Sequence, residues 1–154
     1  MSNKLIKNRQ QQNSNDIVID DGSRVYNIRN QRKELIGRFV FTPSDMGIAD
    51  RYEHTIEVFN SMQERLGKVE SNANVLRLKK EVEEELKKEI DYLYNADVSE
   101  SFFKTISPIT PLENGELYVE NIINAVSDIV EKETGRRLSK VNNRASKYTQ
   151  KYHK

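Results

Sequence analysis

The sequence predicts an α+β fold dominated by helices, with one small antiparallel sheet near its N-terminal end. Three observations lead there. Short β-branched and aromatic runs are gathered before Pro43 and flank the turn signal Asp21-Gly22. After Pro43 the apolar residues recur every three or four positions instead, the period of a helix packed on one side. The 154 residues give room for one ordinary domain, and a composition of 36% hydrophobic and 32% charged residues favours a thin core spread along elongated helices.

Residues 1–15 carry a polar Gln/Asn-rich run, Gln10 to Asn15, without apolar periodicity, and read as a disordered lead. Ile17-Val18-Ile19 and Val25-Tyr26-Asn27-Ile28 then form the arms of an expected hairpin around Asp21-Gly22. After a charged bend from Arg29 to Glu34, Leu35 to Phe41 reads as a third strand.

Thr42-Pro43-Ser44-Asp45 switches the chain to helix. Pro43 suits a first helical turn, Thr42 or Ser44 can cap it, and Asp45 is favourable at its positive end. Counted from Ile48, the residues Tyr52, Ile56, Phe59, Met62, Gln63 and Leu66 fall on one face, and Gly67 ends the helix. A second helix is expected from Asn72 to Tyr94, with Val75, Leu78, Val82, Leu86, Ile90 and Leu93 along one line. Glu83–Lys87 and Glu84–Lys88 are favourably ordered pairs on its flanks. The short connection makes the two an antiparallel αα-hairpin. Val98 to Ile106 reads as a short helix, and Pro108, Pro111 and Asn114-Gly115 mark a loop. The last helix starts near Glu116, with Val119, Ile122, Ile123, Val126, Ile129 and Val130 on its apolar face. Gly135 weakens it by about 1 kcal/mol relative to alanine. Beyond Gly135 a rotated stripe, Leu138, Val141, Ala145, Tyr148 and Tyr152, continues the pattern. The expected organisation is a lead (1–15), one α+β domain (16–134) and a basic amphipathic C-terminal helix or tail (135–154).

The formal net charge of +1 conceals a strong asymmetry. Residues 16–131 hold 14 basic and 23 acidic side chains, whereas residues 132–154 hold eight basic residues against Glu133 alone. An acidic body with a basic end is expected to meet an acidic partner: a protein, nucleic acid, or a second copy of the body. Arg136, Lys140, Arg144, Lys147, Lys151 and Lys154 share a helical sector about 80° wide. Like charges at that spacing oppose helix formation, so the stripe gains stability on an acidic surface. Tyr148 and Tyr152 would add amphipathic contacts, and the competing reading is a solvated, frayed end. Nucleic acid is disfavoured as partner because the body would repel phosphate. The stripe also lacks the bulky apolar face of a membrane-surface helix.

Several function classes lose their footing. With no cysteine and two histidines, neither a disulfide framework nor a thiolate metal site can form, and a histidine-based centre has few ways to be built. Asp50, His54 and Glu57 alone resemble a ligating or acid–base arrangement, but they sit opposite the apolar face and read as solvated residues. No Gly-rich phosphate loop, nucleophile elbow or paired-carboxylate pocket is found, so neither enzymatic activity nor a cofactor is expected. No run approaches the roughly 18 apolar residues of a membrane span, and no secretory leader is evident, so a soluble intracellular protein is expected. Phe102-Phe103 is either an exposed anchor for a partner or, the commoner fate of adjacent aromatics, a plug for the end of the αα-hairpin.

The order of segments resembles a known family. A short strand pair over Ile17–Ile28 leads into Phe39-Val40-Phe41-Thr42-Pro43-Ser44-Asp45 and then Ile48-Ala49-Asp50-Arg51-Tyr52-Glu53. A charged helix ending Asp91-Tyr92-Leu93-Tyr94 follows, then Asn95-Ala96-Asp97-Val98-Ser99-Glu100-Ser101-Phe102-Phe103. A hydrophobic C-terminal helix finishes in Lys147-Tyr148-Thr149-Gln150-Lys151-Tyr152. Over about residues 16–152 this resembles the small tail assembly chaperones of long-tailed phages and prophages of Gram-positive bacteria. The likeness rests on order and spacing, and its motifs are short. It implies a non-enzymatic factor of the host cytoplasm that keeps the tape-measure protein soluble, recruits tail-tube subunits around it and is absent from the mature virion. The family supplies no site residues. The expected partner contacts, Arg136, Lys140, Arg144, Lys147, Tyr148, Lys151 and Tyr152 with Phe102 and Phe103, come from charge and exposure arguments alone. Self-association is a further expectation. The alternatives are a permanent structural component of a tail or connector and, third, a small nucleic-acid-binding regulator.

Overall fold

A computed structural model describes residues 15–68 and 72–138. The elements are β1 (Arg24–Arg29), β2 (Leu35–Phe41), α1 (Ile48–Gly67), α2 (Asn72–Tyr94), α3 (Ser99–Phe103) and α4 (Tyr118–Thr134). The fold is mixed α+β, with helices in the majority and a two-stranded antiparallel sheet at the N-terminal end.

The sheet is the hairpin β1–β2, joined through Asn30–Glu34, where Lys33 takes a left-handed φ of 67°. Tyr26 lies opposite Phe39 and Arg24 opposite Phe41. The strand period of two therefore puts Tyr26, Ile28, Phe39 and Phe41 on the core face. Val25 and Val40, also opposed, stay on the outer face at 62% and 52% exposure. The expected arm Ile17-Val18-Ile19 is not a strand, and among the described residues the sheet has two strands instead of three. Its turn chemistry explains the difference. The Asp20 and Asp21 carboxylates accept the amides of Gly22 and Ser23 at 2.9 Å each, a local bonding pattern that competes with a ladder. Asp21 does not take the positive φ that an Asp-Gly type I′ turn needs.

The helix expected at Pro43 starts later, at Ile48 with Gly47 as N-cap. Thr42 to Asp45 is instead a β-turn closed by the Asp45 amide on the Thr42 carbonyl at 3.2 Å, which suits Pro43 at its second position. The Asp45 carboxylate accepts the Gly47 amide at 2.9 Å and pairs with Arg51 at 2.8 Å. Arg51 also reaches the Leu93 carbonyl at 3.3 Å, tying the start of α1 to the end of α2.

α2 has the bounds its sequence pattern predicts. Together with α1 it forms the αα-hairpin, and burial along it is graded. Tyr52, Phe59, Leu86, Ile90 and Leu93 are buried near the sheet, whereas no described side chain of 63–81 is. Over that outer part Arg65 reaches Glu85 at 2.9 Å and Glu81 at 3.7 Å.

Between β2 and the helices lies an aromatic cluster. Tyr94 meets Phe39 and Phe41 at centroid distances of 5.2 Å each and Phe102 at 5.4 Å. α3 is shorter than predicted, and Asp91 caps it from α2. Its carboxylate accepts the Val98 and Ser99 amides and the Ser99 hydroxyl at 2.7–2.8 Å. Gly37 of β2 lies against this turn, so close that a Cβ there would sit 2.9 Å from Ser101 Cβ. α4 then crosses behind, burying Val119, Ile122, Ile123, Val126 and Val130. It ends where Gly135 turns left-handed at φ 76°, so the apolar pattern read across Gly135 is not one continuous helix. Leu138 follows in a short non-helical stretch, packed on the core, its carbonyl accepting the Ser127 hydroxyl at 2.6 Å.

Candidate partner-binding groove

α4 buries one face and leaves its flank open. Tyr118, Ala125 and Ile129 sit on that flank, beside the buried Ile122, and face the inner side of the hairpin at Tyr26, Ile28 and Ile36. The loop residues Ile106 and Leu112 close one end. Together they form a groove of about 870 Å³ between β1 and α4. Its floor reaches Phe39, Tyr94 and Phe102 of the aromatic cluster. The rim is of a different kind: Gln31 and Asn121 lie along it with Asn30 and Asn114, whose side chains also bond Glu34 and the Glu116 amide. Arg29 and Glu113 are the charged residues among the lining, whereas the Asn27 side chain is on the outer face, bonded to Arg38.

The amide rim and apolar floor decide what the groove can do. Carboxamides both donate and accept, which matches a peptide backbone, and an apolar floor takes alternate side chains of a strand or one stripe of a helix. One positive and one negative group give no net pull on phosphate. The polar groups of the floor are phenols, and burial raises the pKa of Tyr26, Tyr94 and Tyr118. Two of these have partners: Tyr94 donates to the Ile122 carbonyl at 2.9 Å and Tyr118 to the Phe102 carbonyl at 2.8 Å. Among the described residues the buried Tyr26 hydroxyl finds no hydrogen-bond partner, a rare state for a polar group.

Of the residues the sequence singled out, Phe102 and Phe103 are core. They are 7% and 8% exposed, packed on Tyr94 and Tyr118, so they are buried plugs and not the surface contacts expected of them, and Phe102 also lies under the groove. Arg136 is exposed just beyond the helix-ending glycine. Lys140, Arg144, Lys147, Tyr148, Lys151 and Tyr152 lie outside the described residues, as does nearly all of the polar lead. Asp50, His54 and Glu57 are not brought together as ligands. His54 Nδ1 lies 2.7 Å from Glu89 Oε1, which also accepts the Thr55 hydroxyl at 2.9 Å. Among the described residues no group of three His, Cys, Asp or Glu could hold a metal ion, and no helix is long and apolar enough to cross a membrane.

Sequence reasoning missed the groove itself. A faint signal existed in Ala125 and Ile129, which widen the apolar stripe of α4 on one side, but the opposing wall is set by tertiary placement of β1. Comparisons with protein-family models, with curated proteins and with solved structures find no match to this chain.

Proposed function

We propose that the protein is a tail assembly chaperone, a binding protein without enzymatic activity that holds an amphipathic segment of the tape-measure protein and brings tail-tube subunits to it in the host cytoplasm. The observation carrying this reading is the groove between β1 and α4, whose apolar floor and carboxamide rim have the chemistry of a peptide receptor. The order of segments quoted above, similar to that of the chaperone family, supplies the identity of the client. The basic residues from Arg136 onward would add an electrostatic contact to an acidic client surface.

Co-expression with the tape-measure protein of the same gene cluster, followed by pull-down at low and moderate salt, tests the reading. A soluble, co-purifying client is expected, with Ala125→Glu in the groove abolishing capture. A chain cut after Leu138 should keep its fold and capture the client less well at moderate salt. An insoluble client, with this protein found in purified tails, would make it a structural component instead.

A further inference from the structure

Ile17, Val18 and Ile19 are 80%, 91% and 72% exposed, three successive β-branched residues that the described part of the chain leaves uncovered. Such a run is a natural strand, and isolated it is an aggregation hazard unless something pairs with it. The same fold offers an edge to pair with. Among the described residues β1 is bonded only to β2 and none pairs with its outer edge, and that edge is one wall of the apolar groove. The segment does not reach this edge within its own chain. Gly22 lies against Thr42 and Ser44, its would-be Cβ 3.5 Å and 2.8 Å from their side chains, so the chain runs on past the end of β2 without turning back along β1.

We propose that Ile17-Val18-Ile19 of one copy adds as an antiparallel strand to the outer edge of β1 in a second copy, reciprocally, and closes that copy's groove. The charge pattern selects this partner and its register. The segment reads Asp16-Ile17-Val18-Ile19-Asp20, apolar between acids, and β1 reads Arg24-Val25-Tyr26-Asn27-Ile28-Arg29, flanked by bases. Set antiparallel with Val18 opposite Asn27, the segment puts Ile19 beside Tyr26 and Ile17 beside Ile28. Both isoleucines then share the core face of the sheet and enter the groove, while Val18 joins Val25 and Val40 outside. Asp16 falls opposite Arg29 of the second copy. Asp20, which lies 3.8 Å from Arg24 of its own chain, comes to within one position of the second copy's Arg24, so the two acids and the flanking bases interleave. A one-residue slip would turn both isoleucines to the outer face. Reciprocal exchange makes the contact self-complementary, the arrangement of a two-fold dimer. The proposal concerns the free protein and does not depend on the client; under the chaperone reading, this is the segment a client would displace.

Two measurements on the full chain test it. Sedimentation equilibrium should give twice the chain mass of 18.0 kDa, and Ile17→Asp with Ile19→Asp should halve it with unchanged circular dichroism, because neither side chain is buried. The chain has no cysteine, so Val18→Cys in one tagged copy and Asn27→Cys in another should join as a disulfide between copies on mild oxidation. A monomeric wild type overturns the proposal, as does a dimer indifferent to the double aspartate variant. With both cysteines in one chain, closure within that chain would show that the segment caps its own β1, which also overturns it.

Discussion

The Tyr94 hydroxyl donates a 2.9 Å hydrogen bond to the Ile122 carbonyl, joining the last residue of α2 to the second turn of α4 inside the core. The ring that carries it touches Phe39, Phe41 and Phe102, so one side chain binds sheet, α3 and α4 together beneath the groove. Tyr94→Phe keeps the ring and removes the bond. It should cost about 1 kcal/mol of unfolding free energy in urea titration. Tyr94→Ala, which also opens a cavity, should cost about 3–5 kcal/mol.

Asp91 caps a helix to which it does not belong. Three bonds of 2.7–2.8 Å run from Val98 and Ser99 to its carboxylate, and bonds to a charged acceptor are the stronger kind. Asp91→Ala should therefore destabilise by about 2 kcal/mol or more. Restoring part of that with Asp91→Asn, which keeps an acceptor, would separate the capping role from packing.

Two glycines should respond in the same direction for different reasons. At Gly135 the backbone is left-handed, so Gly135→Ala should destabilise by about 1 kcal/mol. The sequence alone predicts the opposite sign, since a glycine inside a helix is improved by alanine. At Gly37 the obstacle is contact: the new methyl would meet Ser101 Cβ at 2.9 Å and its carbonyl oxygen at 3.1 Å. Gly37→Ala should cost about 1–3 kcal/mol, and thermal melts of the two variants measure both.

Alkaline pH should loosen the fold through its buried phenols. Burial pushes the Tyr52 phenol up from 10.0 to about 12, opposed in part by a bond with Ser127, and burial raises Tyr94 and Tyr118 as well. A raised phenol pKa means that the folded state holds its proton longer than the unfolded one. The associated stability is complete below pH 10 and declines as pH climbs toward 12. Urea midpoints at pH 9 and pH 11 should differ accordingly, and Tyr52→Phe should shrink the difference. An identical midpoint at both values would contradict it.

Periodicity made the helical part legible. α2 was readable to its bounds because its apolar line is unbroken from Val75 to Leu93, and α4 because Val119 to Val130 hold one face. Where local signals competed, tertiary context decided. Asp21-Gly22 suggests a tight hairpin, yet carboxylate-to-amide bonds and the contact with Ser44 take the chain elsewhere. Thr42 and Ser44 look like helix caps, yet Pro43 serves a turn and the helix waits for Ile48. Thr55 and Asn60 are polar and buried, which no periodicity reveals, because the Glu89 carboxylate that receives the Thr55 hydroxyl arrives from α2. The groove is hidden for the same reason: its two walls lie about ninety residues apart in the chain.

The graded burial along the α1–α2 hairpin makes this pair of helices a zipper with a fastened end and a loose one. Opening from the far end first frees the half-buried Leu66 and Leu78 and meets fully buried side chains only at Met62 and Val82, so successive amides should show rising opening free energies along the helix. Hydrogen exchange should be fastest at Leu76–Lys80 and slowest at Ile90–Tyr94. Added salt should steepen the gradient, because the Arg65 ion pairs that hold the loose half are solvent-exposed and screened. Damage or strain applied at that end would thus be absorbed locally, leaving the sheet, α4 and the groove between them intact.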